Sequence, residues 1–188
     1  LRTGRVEEAA AEIGAVGRLV PGTNKVLIPQ LAKFASDPKT RGALADVLRS
    51  DRGMRDMLLE HLASSGADAE TVLRLAGPVG PTPASAQPPY WQTLLLRSLV
   101  NRNEIDEARA LWVRFTGIQD PSTQATVYDG SFRRLPGTPP FNWEFDSSAA
   151  GVAEPTKASE LQVDYYGRAD AELASQLLVL KPGRYRLS

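Results

Sequence analysis

The sequence predicts an α+β protein in which a helical-repeat-like N-terminal array is followed by an antiparallel β-sandwich. Residues 1–76 are rich in Ala, Leu, Arg and Glu, and their apolar residues recur with helical periodicity. In residues 124–188, aromatic and β-branched residues alternate with polar ones, which is the pattern of half-buried strands. Residues 77–89 have five prolines in thirteen positions, which predicts an exposed tether. Residues 90–117 read as a helical hairpin that continues the array.

Composition narrows the classes of function. The 188 residues include 22 Lys plus Arg and 22 Asp plus Glu, so the chain lacks the basic surface expected of a nucleic-acid-binding protein. With no Cys and one His, disulfide frameworks and the usual Cys-rich or His-rich metal sites are excluded, and no cofactor is predicted. No apolar stretch reaches the length of a membrane span. Because the chain starts at Leu1 without a leader, we expect a removed leader or an excised fragment. The lack of Cys favours a periplasmic or secreted location.

Capping residues and glycines set the predicted helix boundaries in the N-terminal region. Helices are expected over Val6–Leu19, over Val26–Ala35 with Pro29 in its first turn, and after the Asp37 cap with Leu44, Val47 and Leu48 buried. A further helix after Ser50 or Asp51 carries Met54, Met57, Leu58 and Leu62 on one side and ends near Gly66. Asp68 caps the last one, which runs over Ala69–Ala76, buries Val72 and Leu75, and stops at Gly77.

The predicted hairpin joins Tyr90–Val100 to Glu104–Phe115 through a short turn, which makes the two helices antiparallel neighbours. Its residues Leu95, Leu99, Ala108 and Trp112, with Pro121 beyond them, resemble the spacing of a tetratricopeptide-type repeat. Leu96 is bulkier than the family pattern, and residues 24–76 follow no thirty-four-residue register. The resemblance implies stacked helix pairs, with Trp91 and Trp112 as contacts between helices and a surface that binds a peptide or a partner helix.

Five antiparallel strands are expected in the C-terminal region. They are Ala125–Tyr128 with Phe132; Phe141, Trp143 and Phe145, which alternate toward the interior; Leu161, Val163 and Tyr165; Ser175–Leu180; and Tyr185 with Leu187. The last two form a hairpin through a turn at Lys181–Arg184.

The segments FNWEF, YYGR and PGRYRLS resemble strands of the jelly-roll sandwiches found in carbohydrate-binding modules. Such sandwiches have about eight strands. The resemblance therefore implies a sheet that is unfinished at Ser188. We expect either further residues beyond Ser188 or another chain, a partner or an oligomer, pairing with the open edge.

Enzyme motifs are missing from the sequence. His61, the single imidazole, is expected to be a half-buried structural residue near a helix C-terminus, and neither G-x-S-x-G nor a glycine-rich phosphate loop occurs. A glycosidase-type carboxylate pair could be formed from six acids, and calcium bound by Asp146, the loop carbonyls and Glu154 is an alternative of similarly low weight. Those acids are Glu144, Asp146, Glu154, Asp164, Asp170 and Glu172. We predict a non-catalytic protein.

Recognition is the favoured chemistry, with a glycan as the first-choice ligand. Sugars bind to exposed aromatic rings flanked by planar hydrogen-bonding groups. The candidate residues are Tyr166, Asp164, Arg168, Gln176 and Arg186. Two alternatives remain: a protein-interaction scaffold that uses the helical surface, and a fragment of a carbohydrate-active enzyme.

Overall fold

The computed structural model describes residues 24–82, 87–118, 127–135, 137–167, 169–180 and 182–186. Within these residues the chain is α+β, as predicted, with six helices and short antiparallel strands. It divides into two compact units. The first contains the described residues up to Val79 together with Pro89–Ser98, and the second contains Gly80–Pro88 and the described residues from Leu99 onward.

Four helices form most of the first unit: α1 (Asn24–Ser36), α2 (Pro38–Leu48), α3 (Arg52–Ser64) and α4 (Ala69–Ala76). Helix α1 packs against α2 and α3, and α4 packs against the same two helices. Apolar residues recurring at helical spacing meet in the interior of this unit because each helix buries one stripe. Its most buried side chains include Leu31, Ala35, Leu44, Leu58, Leu62 and Val72.

The predicted capping residues and terminal glycines of the described helices are confirmed, whereas Pro29 lies inside α1 and not in its first turn. The carboxylates of Asp37, Asp51 and Asp68 accept hydrogen bonds from backbone N–H groups of the first helical turns, at 2.9, 3.0 and 2.7 Å. Gly66 and Gly77 take positive φ values of 80° and 79° where helices end.

One helical expectation is wrong. The sequence predicts Met57 on the buried side of α3, but it is exposed, since the buried stripe of this helix is formed by Met54, Leu58, Leu59 and Leu62. The helix predicted over Val6–Leu19 lies outside the described residues.

The predicted hairpin helices are α5 (Tyr90–Asn101) and α6 (Ile105–Thr116). The carbonyl of Leu99 accepts hydrogen bonds from Arg102 and Glu104, at 3.1 and 2.9 Å, and so closes the turn between them. The boundary between the two compact units falls within α5, between Ser98 and Leu99.

Residues 77–82 and 87–89 of the proline-rich segment are irregular, as the composition predicts, but part of the segment is docked. The Thr82 N–H donates to the carbonyl of Phe115 at 2.8 Å, near the end of α6. The Pro81 ring lies so close to Gly117 that a Cβ on this glycine would come within 2.6 Å of Pro81 Cγ. Pro81 and Thr82 are therefore anchored to the C-terminus of α6 and do not form a free tether.

Trp112 of α6 packs within the second unit. Its indole is 2% exposed and lies 4.9 Å, edge to face, from the Tyr128 ring and 5.8 Å from that of Phe141. The sequence predicted Trp112 as a contact between stacked helices. In the structure these aromatic partners come from the loop that precedes the first strand.

The strands are β1 (Glu144–Phe145), β2 (Gly151–Pro155), β3 (Leu161–Tyr165) and β4 (Ala174–Ser175). β1 pairs with β4, and β2 pairs with β3, both antiparallel. A bridge between Ser147 and Val152 and a 3.1 Å hydrogen bond from Ala153 N–H to the Asp146 carbonyl link the end of β1 to β2. The described strands therefore form two two-stranded sheets, β1-β4 and β2-β3, which this bridge links, and β3 has β2 as its one strand neighbour among the described residues.

Several predicted strands are wrong. Tyr128 lies in a turn, Phe132 is irregular with φ 49°, and only Ser175 of the predicted Ser175–Leu180 strand lies in a strand. Tyr185 is also irregular, and no closed sandwich is seen in the part of the chain that the structure describes. The reason is that a strand needs a hydrogen-bonded partner strand. With the other residues that the structure describes, residues 176–180 make one backbone hydrogen bond, from the Leu177 N–H to the Pro140 carbonyl. Residues 125–126, 181 and 187 lie outside the description.

Candidate functional site

The β2–β3 ladder is the framework of the candidate site. Its register pairs Val152 with Asp164 and Glu154 with Gln162. The ladder continues past β3, because the Tyr166 N–H donates to the carbonyl of Ala150 at 2.8 Å. Directly paired residues of an antiparallel ladder share one face, and alternate residues of a strand do the same. Glu154, Gln162, Asp164 and Tyr166 therefore lie on one surface, together with the half-buried Val152, and we call these four residues the polar face.

The polar face is open to solvent. All four of its residues are exposed, and Tyr166 is 54% exposed. The amide Nε2 of Gln162 donates to Oδ2 of Asp164 at 3.1 Å, which orients one carboxylate oxygen and leaves the other available. An aromatic ring beside two carboxylates and an amide provides a stacking surface together with acceptors and donors for hydroxyl groups.

The structure brings together two of the five predicted ligand residues, Tyr166 and Asp164. Gln176 is half-buried, and its amide is occupied by the main chain of Tyr128: Nε2 donates to the Tyr128 carbonyl at 2.8 Å, and Oε1 accepts from the Tyr128 N–H at 3.1 Å. Arg186 is exposed in the C-terminal segment, and Arg168 lies outside the described residues.

Gln162 and Glu154 are not among the ligand residues predicted from the sequence, where Glu154 is named only for a carboxylate pair or for calcium. Gln162 alternates with Asp164 and Tyr166, so its place on the same face could have been read from the strand pattern. Glu154 could not, because it joins the polar face only through the pairing register of β2 with β3. Register depends on contacts that are distant in sequence.

A second aromatic group lies in the same unit. Trp143 stacks on Phe145 at 6.3 Å with an interplanar angle of 16°, and Phe132 lies 5.1 Å from Trp143. All three are half-buried, whereas Phe141 is buried against Trp112. The interior stripe predicted for Phe141, Trp143 and Phe145 is thus divided between two clusters.

The loop that carries Phe132 is held by one side chain. The carboxylate of Asp129 accepts the N–H groups of Arg133 and Leu135 at 2.8 and 3.1 Å. The Asp129 carbonyl accepts the indole N–H of Trp143 at 3.1 Å. Burial raises the pKa of the neighbouring Tyr128 hydroxyl, and the Asp129 charge raises this pKa further. Each of these contacts orders the loop, and none of them directs a group toward a ligand.

The residues considered for catalysis have ordinary environments. His61 is half-buried near the end of α3, where its carbonyl accepts the Ser65 N–H at 2.9 Å. The six acids considered for a glycosidase pair are all exposed. Within the described part of the chain, no group of three or more His, Cys, Asp or Glu residues is placed to hold a metal ion.

Comparisons with known proteins identify no related family. No protein-family model matches the chain, and no curated protein or solved structure matches it either. Among the helices described, none is both long enough and apolar enough to cross a membrane.

Proposed function

We propose that the protein is a non-catalytic binding protein of the cell envelope and that it binds a glycan on the polar face. The observation that carries the proposal is the position of Tyr166, whose exposed ring lies on the same face as Asp164, Gln162 and Glu154. A pyranose ring has an apolar face and a rim of hydroxyl groups. The polar face offers a matching surface for each.

The expected affinity is low. One ring stack contributes about 1 kcal/mol, and a hydrogen bond to a charged acceptor contributes about 1.5 kcal/mol or more. A stack with two or three such bonds gives about 4 to 5.5 kcal/mol, which corresponds to a Kd of roughly 0.1 to 1 mM. Tighter binding would come from a polysaccharide that engages several copies of the face.

The proposal extends to the fold around the site. We assign the antiparallel strands to a jelly-roll-like sandwich whose outer surface includes the polar face. The support is the antiparallel pairing of β1 with β4 and of β2 with β3, together with the antiparallel bridge between Ser147 and Val152 that links the two pairs. A chain without Cys suits an oxidising envelope compartment.

The test compares two tyrosines of equal exposure on opposite faces. Tyr165 and Tyr166 are both 54% exposed, but Tyr165 lies on the other face of β3. Ligands found on a glycan array would be titrated by NMR against the unmodified chain, Tyr166→Ala and Tyr165→Ala. We expect a loss of affinity of about fivefold for Tyr166→Ala, in line with one lost stack of about 1 kcal/mol, and less than twofold for Tyr165→Ala.

Two results would reject the glycan proposal. One is equal weakening by both substitutions, since it would indicate a general loss of structure. The other is no response to any polysaccharide together with a defined protein partner that binds residues 24–76, since this would favour the protein-interaction scaffold.

A further inference from the structure

The β3 strand presents one unpaired edge among the described residues, because β2 is its single hydrogen-bonded neighbour there. The direction of each backbone group follows from the ladder. Tyr166 N–H points to β2, where it meets the Ala150 carbonyl, and the Glu160 carbonyl points the same way, where it accepts Thr156 N–H at 2.7 Å. Since successive residues alternate, the N–H and C=O groups of Leu161, Val163 and Tyr165 point outward.

In the part of the chain that the structure describes, this edge lacks most of the common protective features, and Asp164 is the one charged residue of the strand. Natural edge strands are blunted by proline, lysine, a bulge or a covering element. β3 contains neither Pro nor Lys, and its register with β2 is continuous. Val163 and Tyr165 are 48% and 54% exposed, so apolar side chains accompany the outward backbone groups.

The sequence of β3 is complementary to itself in the antiparallel direction. A twofold axis through Val163 would pair this residue with Val163 of the partner subunit. Leu161 would then face Tyr165, and Gln162 would face Asp164, of the partner subunit. Apolar residues meet apolar residues, an amide donor meets a carboxylate, and no two like charges are directly opposed.

We propose that two copies of the chain associate by antiparallel pairing of their β3 edges. Each outward N–H group then meets a carbonyl across the twofold axis, and the two β2–β3 ladders join into one sheet. The interface is isologous and small, so the dimer is weak and depends on concentration. This inference does not rest on glycan binding. If both hold, the joined sheet carries two polar faces side by side.

Sedimentation velocity over a concentration series tests the proposal. Val163→Lys and Val163→Glu each place like charges opposite one another at the axis, while leaving the hydrogen bonds to β2 in place. Each alone should raise the dimer dissociation constant about tenfold or more. An equal mixture of the two variants should restore dimers, because Lys then faces Glu.

Val26→Lys is the matched control, since Val26 is 67% exposed on α1 and the change of side chain is the same. This variant should sediment as the unmodified chain does. A monomer at all concentrations of the unmodified chain would overturn the proposal, and so would a mixture that stays monomeric.

Amide hydrogen exchange on the unmodified chain gives a second readout that needs no variant. The amides of Leu161, Val163 and Tyr165 should become protected as concentration rises, whereas those of Gln162 and Asp164, which face β2, should be protected throughout. Exchange at the three outward amides that does not change with concentration would contradict the pairing, even if a variant failed to fold.

Discussion

Trp112 donates its indole N–H to the backbone carbonyl of Thr138 at 3.0 Å, across twenty-six positions of sequence. The same carbonyl accepts the N–H of Asn142 at 3.3 Å, so one oxygen connects α6 to the loop that leads into β1. Gly137, next to Thr138, has a φ of 143°, and a Cβ there would come within 3.2 Å of the Trp112 ring. The indole, the glycine and the carbonyl therefore form one close contact.

This contact should be a major source of stability in the second unit. Trp112→Ala removes a side chain that is 2% exposed and should lower the free energy of unfolding by about 3 to 5 kcal/mol. Trp112→Phe keeps most of the apolar area but loses the N–H, with a cost of about 1 to 2 kcal/mol. Urea denaturation of the chain measures both changes.

Trp143 provides the matched control, because its indole N–H also donates to a backbone carbonyl, that of Asp129, but its ring is half-buried. Trp143→Ala should lower the free energy of unfolding by less than Trp112→Ala does. Equal losses for the two alanine variants would mean that burial at Trp112 does not determine the stability of this unit.

The helices could be predicted from the sequence because their signals are local. Asp37, Asp51 and Asp68 accept hydrogen bonds from N–H groups two or three residues away, and Gly66 and Gly77 take their left-handed conformations within the same turn. A short window of sequence contains each of these interactions. The helix boundaries in the structure accordingly lie within one or two residues of those predicted.

The strands and the site depend on distant partners, and the sequence was less informative there. Tyr128 has the residue type of a strand, but it is fixed in a turn by the Gln176 amide, forty-eight positions away. The sequence predicts Gln176 as a ligand residue because these bonds to Tyr128 cannot be seen in the local sequence, although they occupy the polar atoms of its side chain. Asp164 and Tyr166 were recognisable by alternation, whereas Glu154 required the register of β2 with β3.

Gly151 should tolerate no side chain. A Cβ at this position would lie 2.5 Å from the Asp164 carbonyl oxygen and 2.8 Å from Cδ1 of Leu173. Gly151→Ala therefore forces β2 away from β3 and should cost about 1 to 3 kcal/mol in urea denaturation. Gly151→Ala should also lower the affinity of the polar face for any ligand, since Asp164 lies on β3, and the substitution changes the position of β3 relative to β2.

Gly42 in α2 is the control of opposite sign, because no atom lies within 4 Å of a Cβ placed there. Gly42→Ala should raise the free energy of unfolding by about 0.5 to 1 kcal/mol through helix propensity. A Gly151→Ala variant as stable as the unmodified chain would show that the two strands separate without cost.

Gln176 should behave as a structural residue. Gln176→Leu removes both hydrogen bonds to the Tyr128 main chain and should cost about 1 to 3 kcal/mol, measured by thermal or urea denaturation. Gln30→Leu, at an exposed position of α1, is the control and should change stability by less than about 0.5 kcal/mol. A glycan titration of Gln176→Leu that shows lost binding with unchanged stability would return Gln176 to the ligand site.

Asp68 should make the first unit less stable in acid. Burial acts to raise the pKa of this carboxyl. The hydrogen bonds from the hydroxyl and N–H of Thr71, together with the Arg41 charge, outweigh that effect and lower the pKa below its usual value. The carboxylate form is therefore favoured by folding. Its contribution is fully present above the unfolded-state pKa of about 3.9 and is lost as the pH falls through the lower folded-state value.

The test of the Asp68 charge compares Asp68→Asn with Asp68→Ala over a pH series of urea denaturations. Asn keeps an acceptor for the helix cap, so Asp68→Asn should be less stable than the unmodified chain near pH 7, and this difference should shrink as the pH falls below the unfolded-state pKa of about 3.9. Asp68→Ala loses the helix cap and should be about 1 kcal/mol less stable than the unmodified chain at neutral pH. Asp46→Asn, which removes an exposed ion pair with Arg49, should have little effect. A difference between Asp68→Asn and the unmodified chain that stays constant down to pH 2 would show that the charge of Asp68 does not stabilise the fold.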